Sequence, residues 1–205
     1  MCPSAAATSC VCCAQTAAEA SCSPSYGGKE CGLPTDAYTP FGANDPMYAA
    51  LRTACTAPLT IVGVGNALRG DDGFGPTVIA ALPERHGITC FDTGMAPENW
   101  LGPIARSCPA TVLVLDATDL AEPPGTLRLL RGDELGSIGV STHGLPLGFF
   151  LGLVEERTGV PAVLLAAQPV CVDLGAPMSD AMQAAATRAC SAIRTVAESL
   201  ATCKR

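Results

Sequence analysis

From Leu59 onward the chain alternates short aliphatic runs with longer stretches in which apolar residues recur every three or four positions. Short apolar runs suit strands, and a recurrence near 3.6 residues suits helices with one buried face. The pattern predicts strands over Leu59–Val64, Ile88–Asp92, Thr111–Asp116, Thr126–Leu130 and Ala162–Ala167. It predicts helices over Phe74–Arg85, Ala96–Ser107, Leu145–Arg157 and Ser179–Ala201. The run Thr111-Val112-Leu113-Val114-Leu115 has no polar face, as expected of a strand buried on both sides. Such strands alternating with helices predict an α/β fold: a three-layer sandwich whose mostly parallel, twisted central sheet, of about five strands, lies between helices.

Residues 1–46 behave differently. They are rich in Ala, Ser, Cys, Gly and Pro and hold no sustained period of 2 or 3.6, which reads as a flexible extension without a buried face. The folded domain is placed at residues 59–201, and Met47 is an alternative start. Cys10, Cys12, Cys13, Cys22 and Cys31 lie in the extension, but without a C-x-x-C pair or a nearby His they make a poor soft-metal signature.

Composition narrows the classes of function. The 205 residues are 48% apolar and 15% charged, which suits one compact domain, and with aromatics at only 4% the core must be aliphatic. A net charge of −7 disfavours nucleic acid, because phosphate binding needs a Lys/Arg excess. No apolar run reaches the roughly 18 residues of a bilayer span, and the first 30 residues lack a basic start and an apolar core. The expectation is a soluble, cytoplasmic protein, not inserted in a membrane, with its twelve cysteines reduced.

Three candidate chemical groups fall at predicted strand ends or in the loops beyond, where a doubly wound sheet places its sites. Asp72 closes the loop Gly63-Val64-Gly65-Asn66-Ala67-Leu68-Arg69-Gly70-Asp71-Asp72-Gly73-Phe74-Gly75, Asp116 ends the most apolar strand, and His143 follows Ser141-Thr142. Each has a plainer explanation. The pair Asp71-Asp72 suits the start of the following helix as a cap. A loop His is commonly structural or solvated, and His86 keeps that reading. Asp116 is harder to set aside, because a carboxylate at the edge of a core requires a cation, a metal or several donors. Together the three form an O,O,N ligand set suited to Ni, Zn, Mn or Fe, with no intrinsic choice among them. The glycine-rich loop is not a dinucleotide fingerprint, since Leu68 stands where the third glycine is required. There is no Gly-x-Ser-x-Gly elbow either.

An ordered set of motifs makes the reading specific: Val62-Gly63-Val64-Gly65-Asn66 with Gly70-Asp71-Asp72-Gly73, then Asp92-Thr93-Gly94-Met95-Ala96-Pro97-Glu98-Asn99, Asp116-Ala117-Thr118-Asp119, and Ser141-Thr142-His143. This set, running from about Leu59 to Leu200, resembles the hydrogenase maturation proteases. The steps Ala96-Pro97-Glu98-Asn99, Asp116-Ala117-Thr118-Asp119 and Thr142-His143-Gly144-Leu145-Pro146-Leu147 further resemble the branch serving formate-hydrogenlyase and related membrane-bound hydrogenases. The resemblance implies an endopeptidase, metallo- or aspartic-type, that removes a C-terminal peptide from the nickel-loaded large-subunit precursor of a [NiFe] hydrogenase. It maps the metal-contacting positions onto Asp72, Asp116 and His143, an accessory acid onto Asp92, and substrate contacts onto Asn66 and Gly94. The nickel is expected to arrive with the substrate, other divalent ions being able to substitute, and the enzyme to act as a monomer. The alternative implied by the same residues is a non-proteolytic, nickel-dependent chaperone of hydrogenase assembly.

Overall fold

The structure is a computed structural model, and it describes residues 45–83, 87–132, 134–137 and 146–202. In chain order these form α1 (Pro46–Ala54), β1 (Leu59–Val64), α2 (Phe74–Ala81), β2 (Ile88–Gly94), α3 (Leu101–Arg106), β3 (Thr111–Ala117), β4 (Leu127–Arg131), α4 (Leu147–Thr158), β5 (Ala162–Ala167) and α5 (Asp180–Thr202). Single 3-10 turns occupy Gly70–Gly73, Pro97–Trp100 and Glu134–Ser137.

The five strands form one sheet in the order β2-β1-β3-β5-β4, with β4 alone running antiparallel. Strands β1, β3 and β5 are buried along their whole length, as their unbroken aliphatic runs predicted. The reversal of β4 follows from its connection: only residues 118–126 separate it from β3, too few for the crossover a parallel neighbour needs.

Two apolar layers cover the sheet. On one face Leu51, Phe74, Val78, Met182, Ala186 and Ile193 of α1, α2 and α5 meet Ile61, Leu113 and Leu165. On the other, Ile104, Leu147, Phe150, Leu151 and Val154 of α3 and α4 meet Val62, Val114 and Leu164. The sandwich is thus three-layered as expected. The chain steps from β1 to β2 in one direction and from β2 back across β1 to β3 in the other. Right-handed crossovers then place α2 and α3 on opposite faces, and a crevice opens between β1 and β3 at their carboxyl ends.

Three elements depart from the sequence expectation. Helix α2 stops at Ala81 instead of Arg85, because Leu82 precedes Pro83 and takes the extended conformation that position favours. The helix expected over Ala96–Ser107 is a 3-10 turn followed by α3. Pro103 supplies no N–H to the carbonyl of Asn99 and its ring crowds that carbonyl, so an α-helix cannot run through both. Helix α1 was not anticipated at all. Asp45 caps it by accepting from the N–H groups of Met47 and Tyr48 at 2.8 and 3.3 Å, and Pro46 sits in its first turn. A chain starting at Met47 would lack both.

Candidate functional site at the carboxyl edge of the sheet

Because β1 and β3 are adjacent and Gly63 pairs with Leu115, Asp116 lies beside the point where β1 runs out into its glycine-rich loop. That loop turns sharply back. Gly65 has φ +132, and a Cβ there would stand 1.9 Å from the carbonyl oxygen of Asp72, so only glycine fits. Gly75, in the first turn of α2, presses its backbone on the strands: a Cβ would meet Val64 O at 2.3 Å and Leu115 O at 2.8 Å. The glycine spacing therefore seats the 3-10 turn and the start of α2 directly on the ends of β1 and β3.

That turn carries Asp71 and Asp72, both buried, and the two neighbours do different work. Neither caps a helix, since the 3-10 turn and α2 have no side-chain cap. The carboxylate of Asp71 accepts from the N–H of Val170 at 2.7 Å, of Cys171 at 3.4 Å and of Ser179 at 2.7 Å, and from the Ser179 hydroxyl at 2.9 Å. It ties the loop after β5 to the loop after β1. The carboxylate of Asp72 instead accepts, through Oδ2, the N–H of Asn66 at 2.9 Å, within its own loop. Asp116 is fully buried and its Oδ2 accepts the hydroxyl of Thr118 at 2.9 Å. Such hydrogen bonds fix the orientation of a carboxylate that is to meet a metal or a substrate.

Strand β2 contributes the remaining described candidates. Its register against β1 shifts between Gly63 and Val64, leaving Thr93 as an extra residue whose hydroxyl donates to Gly63 O at 2.9 Å. Bulges of this kind re-aim side chains beside active sites. Here the bulge is flanked by Asp92, which is exposed and accepts the N–H of Gly94 at 3.1 Å, and by Gly94 itself, at φ +57 with open space where a Cβ would stand. Asn66 reaches this turn, its Nδ2 lying 3.4 Å from Met95 Sδ. The five candidates Asn66, Asp72, Asp92, Gly94 and Asp116 thus all stand at the carboxyl ends of β1, β2 and β3 or in the loops beyond them. His143 lies outside the described residues. Among those residues no group of three His, Cys, Asp or Glu side chains is placed to hold a metal ion.

Sequence reasoning missed the anchoring role of Asp71, whose partners stand about a hundred positions away and leave no local signal. Thr118 was within reach of it, because a hydroxyl two residues after an acid is a common local partner.

The fold and this edge define the class: a doubly wound α/β protein with buried acids at the topological switch point. The sequence profile of the hydrogenase maturation protease family matches residues 78–196, a segment that contains Asp92, Asp116 and His143 and begins after Asp72. The chain is 34% identical over 120 residues to the hydrogenase 3 maturation protease of Escherichia coli strain K12, an alignment covering 57% of this chain and 76% of that protein. The crystal structure of the [NiFe] hydrogenase maturation protease HycI from Thermococcus kodakarensis superposes with a TM-score of 0.67 at 28% identity, over 73% of this chain and 99% of that one. The solution structure of the endopeptidase HycI from Escherichia coli gives 0.61 at 28% identity, over 69% and 90%. The chain belongs to the hydrogenase maturation protease family.

Proposed function

We propose that this chain is the endopeptidase that removes a C-terminal peptide from the nickel-loaded large-subunit precursor of a [NiFe] hydrogenase. The observation that carries the reading is the location of two buried acids, Asp72 and Asp116, at the switch point of a maturation-protease fold. A crevice edged by two carboxylates favours a cationic visitor over an anionic one. Nickel is that visitor, arriving as part of the substrate. Asp72, Asp116 and His143 contact it, and an O,O,N set leaves room for the ligands the precursor already provides. Helix α4 precedes β5 and runs back along it, so its first residue, Leu147, stands at the carboxyl edge, four positions after His143. This supports His143 as the third contact.

In this reading recognition of the metal positions the scissile bond, and Asp92, exposed beside the Gly94 turn, serves as the general base toward water. Asn66 and Gly94 line the approach of the peptide. The formate-hydrogenlyase-type branch is the assignment that Ala96-Pro97-Glu98-Asn99 supports. The protein acts as a monomer in the cytoplasm, and among the described residues no helix is long and apolar enough to cross a membrane.

The test is incubation of the full chain with its cognate precursor, with and without nickel, followed by intact-mass measurement. Loss of the C-terminal peptide is expected only from nickel-loaded precursor, and His143→Ala is expected to fold normally yet leave the mass unchanged. Equal cleavage of nickel-free precursor, or normal cleavage by His143→Ala, overturns the assignment. Nickel-dependent binding with no change in mass would establish the chaperone reading in its place.

A further inference from the structure

Among the described residues five large apolar side chains are strongly exposed, and four of them stand on loops at one edge of the molecule. Leu68 is 70% exposed, Met95 48%, Val170 59% and Leu174 72%. Scattered exposed apolar residues are ordinary, whereas a cluster signals a surface that is covered by something else. Hydrogen bonds hold the loops that carry these four together. Leu68 O accepts the N–H of Gly175 at 2.8 Å, placing Leu68 beside Leu174. The N–H of Leu68 donates to Asn66 Oδ1 at 2.9 Å, while Asn66 Nδ2 reaches Met95 Sδ. Val170 is held to the same loop through Asp71. Asn66 joins this surface to the candidate site, because its backbone N–H donates to the carboxylate of Asp72.

We propose that Leu68, Met95, Val170 and Leu174 form the surface on which an apolar segment of the precursor polypeptide docks, which rests on the endopeptidase reading above. A cluster of two or three acids offers few contacts to a polypeptide, yet peptide hydrolysis requires the scissile bond within roughly 3–3.5 Å of the attacking group. Binding energy from parts of the substrate remote from the reacting bond supplies that alignment. The surface is continuous with the Asp72 loop and therefore adjoins whatever the site holds. Its occupant is apolar rather than basic, since the four exposed positions carry no charge, and the charged neighbours Arg69 and Asp173 are of opposite sign. An apolar centre with a mixed polar rim is the build of a protein interface.

The test compares wild type with Leu68→Ser/Leu174→Ser and with Val170→Ser, using the full chain and nickel-loaded precursor. Processing rates over a range of precursor concentrations separate KM from kcat, and direct binding is measured under conditions without turnover. The double variant is expected to raise KM and weaken binding by about tenfold or more, with kcat little changed, because the transfer of two leucine side chains out of water is lost. The salt dependence of KM is expected to be the same in wild type and in the variants, as apolar contacts are not screened. Unfolding midpoints serve as the control for fold. Unaltered KM and binding in both variants overturn the docking surface and leave the endopeptidase reading standing. Absence of both binding and cleavage by the wild type overturns the two together. Loss of a wild-type dimer in the double variant, with precursor binding intact, assigns the surface to a second copy of this chain and overturns the proposal.

Discussion

The two ends of the sheet are built from different materials. At the amino end hydroxyls pair with one another: Thr56 Oγ1 and Thr111 Oγ1 lie 2.9 Å apart, and Thr60 Oγ1 and Ser107 Oγ 2.7 Å. At the carboxyl end three carboxylates are buried, Asp71 and Asp72 in a turn seated by glycine and Asp116 near the end of β3. Hydroxyl pairs close a strand end at little electrostatic cost. Buried carboxylates do not, and their concentration at one end marks where the fold accepts expense for chemistry. The difference teaches that burial of an acid does not by itself assign a role: Asp71 faces four donors from another loop, whereas Asp72 faces its own.

The strongest test of that contrast is to neutralise the acids one at a time. Asp72→Asn and Asp116→Asn are expected to lower processing of nickel-loaded precursor by more than about 100-fold, beyond the loss typical of an outer-shell partner. Intact mass reads the effect, and near-normal processing by either variant would erase the contrast between the two ends. Asp71→Asn is expected to act on stability instead. It replaces an acceptor of four hydrogen bonds by a group that turns an N–H toward backbone donors, which is expected to cost about 3 kcal/mol or more in denaturant unfolding. A smaller stability change than that of Asp72→Asn would show that the roles of the two neighbours are reversed.

Much of the sheet was legible in the sequence because β1, β3 and β5 are continuous aliphatic runs, and burial on both faces leaves no other pattern. Asp116 was legible for the related reason that an acid closing such a run stands out. Helix α1 was not, because its single capping acid and proline sit at the boundary of a stretch whose composition carries no period. The break in Ala96–Ser107 was signalled by Pro103, but apolar spacing outweighed it. The division between Asp71 and Asp72 was beyond reach, since it depends on Val170 and Ser179, which only the fold brings near. His143 lies outside the described residues, and its place in the site rests on the resemblance of its motif.

Smaller effects sharpen the comparison at each end. Gly75→Ala forces a Cβ against the backbone oxygens of Val64 and Leu115, neither of which can move without disturbing a central strand. The expected loss is about 1–3 kcal/mol, as for other overpacked sites, with a parallel loss of processing because the Asp72 turn is displaced. At the amino end, Thr111→Val removes the acceptor of the Thr56 N–H and the partner of its hydroxyl. About 1 kcal/mol of stability should be lost there, with processing unchanged. A fall in kcat on Thr111→Val would mean that the amino end also serves the site.

The last effect is silent near neutral pH and appears only under alkaline conditions. Cys55, buried just before β1 at the amino end, has its thiol pushed up to about 12 by burial, because a thiolate there would lose its solvent. An unfolded thiol ionises near its ordinary value of 9.0, so the folded state binds the proton more tightly than the unfolded one. Stability from this group is therefore fully present below pH 9 and is lost as pH rises from there toward 12. The loss begins at a few tenths of a kcal/mol near pH 9 and steepens toward about 1.4 kcal/mol per pH unit. Unfolding by denaturant at several alkaline pH values, compared between wild type and Cys55→Ala, isolates this slope from the other titrating groups. The difference between the two should grow with pH in favour of the variant. A constant difference would mean that the thiol ionises as readily folded as unfolded, and that the amino end is wetter than its hydroxyl pairs imply.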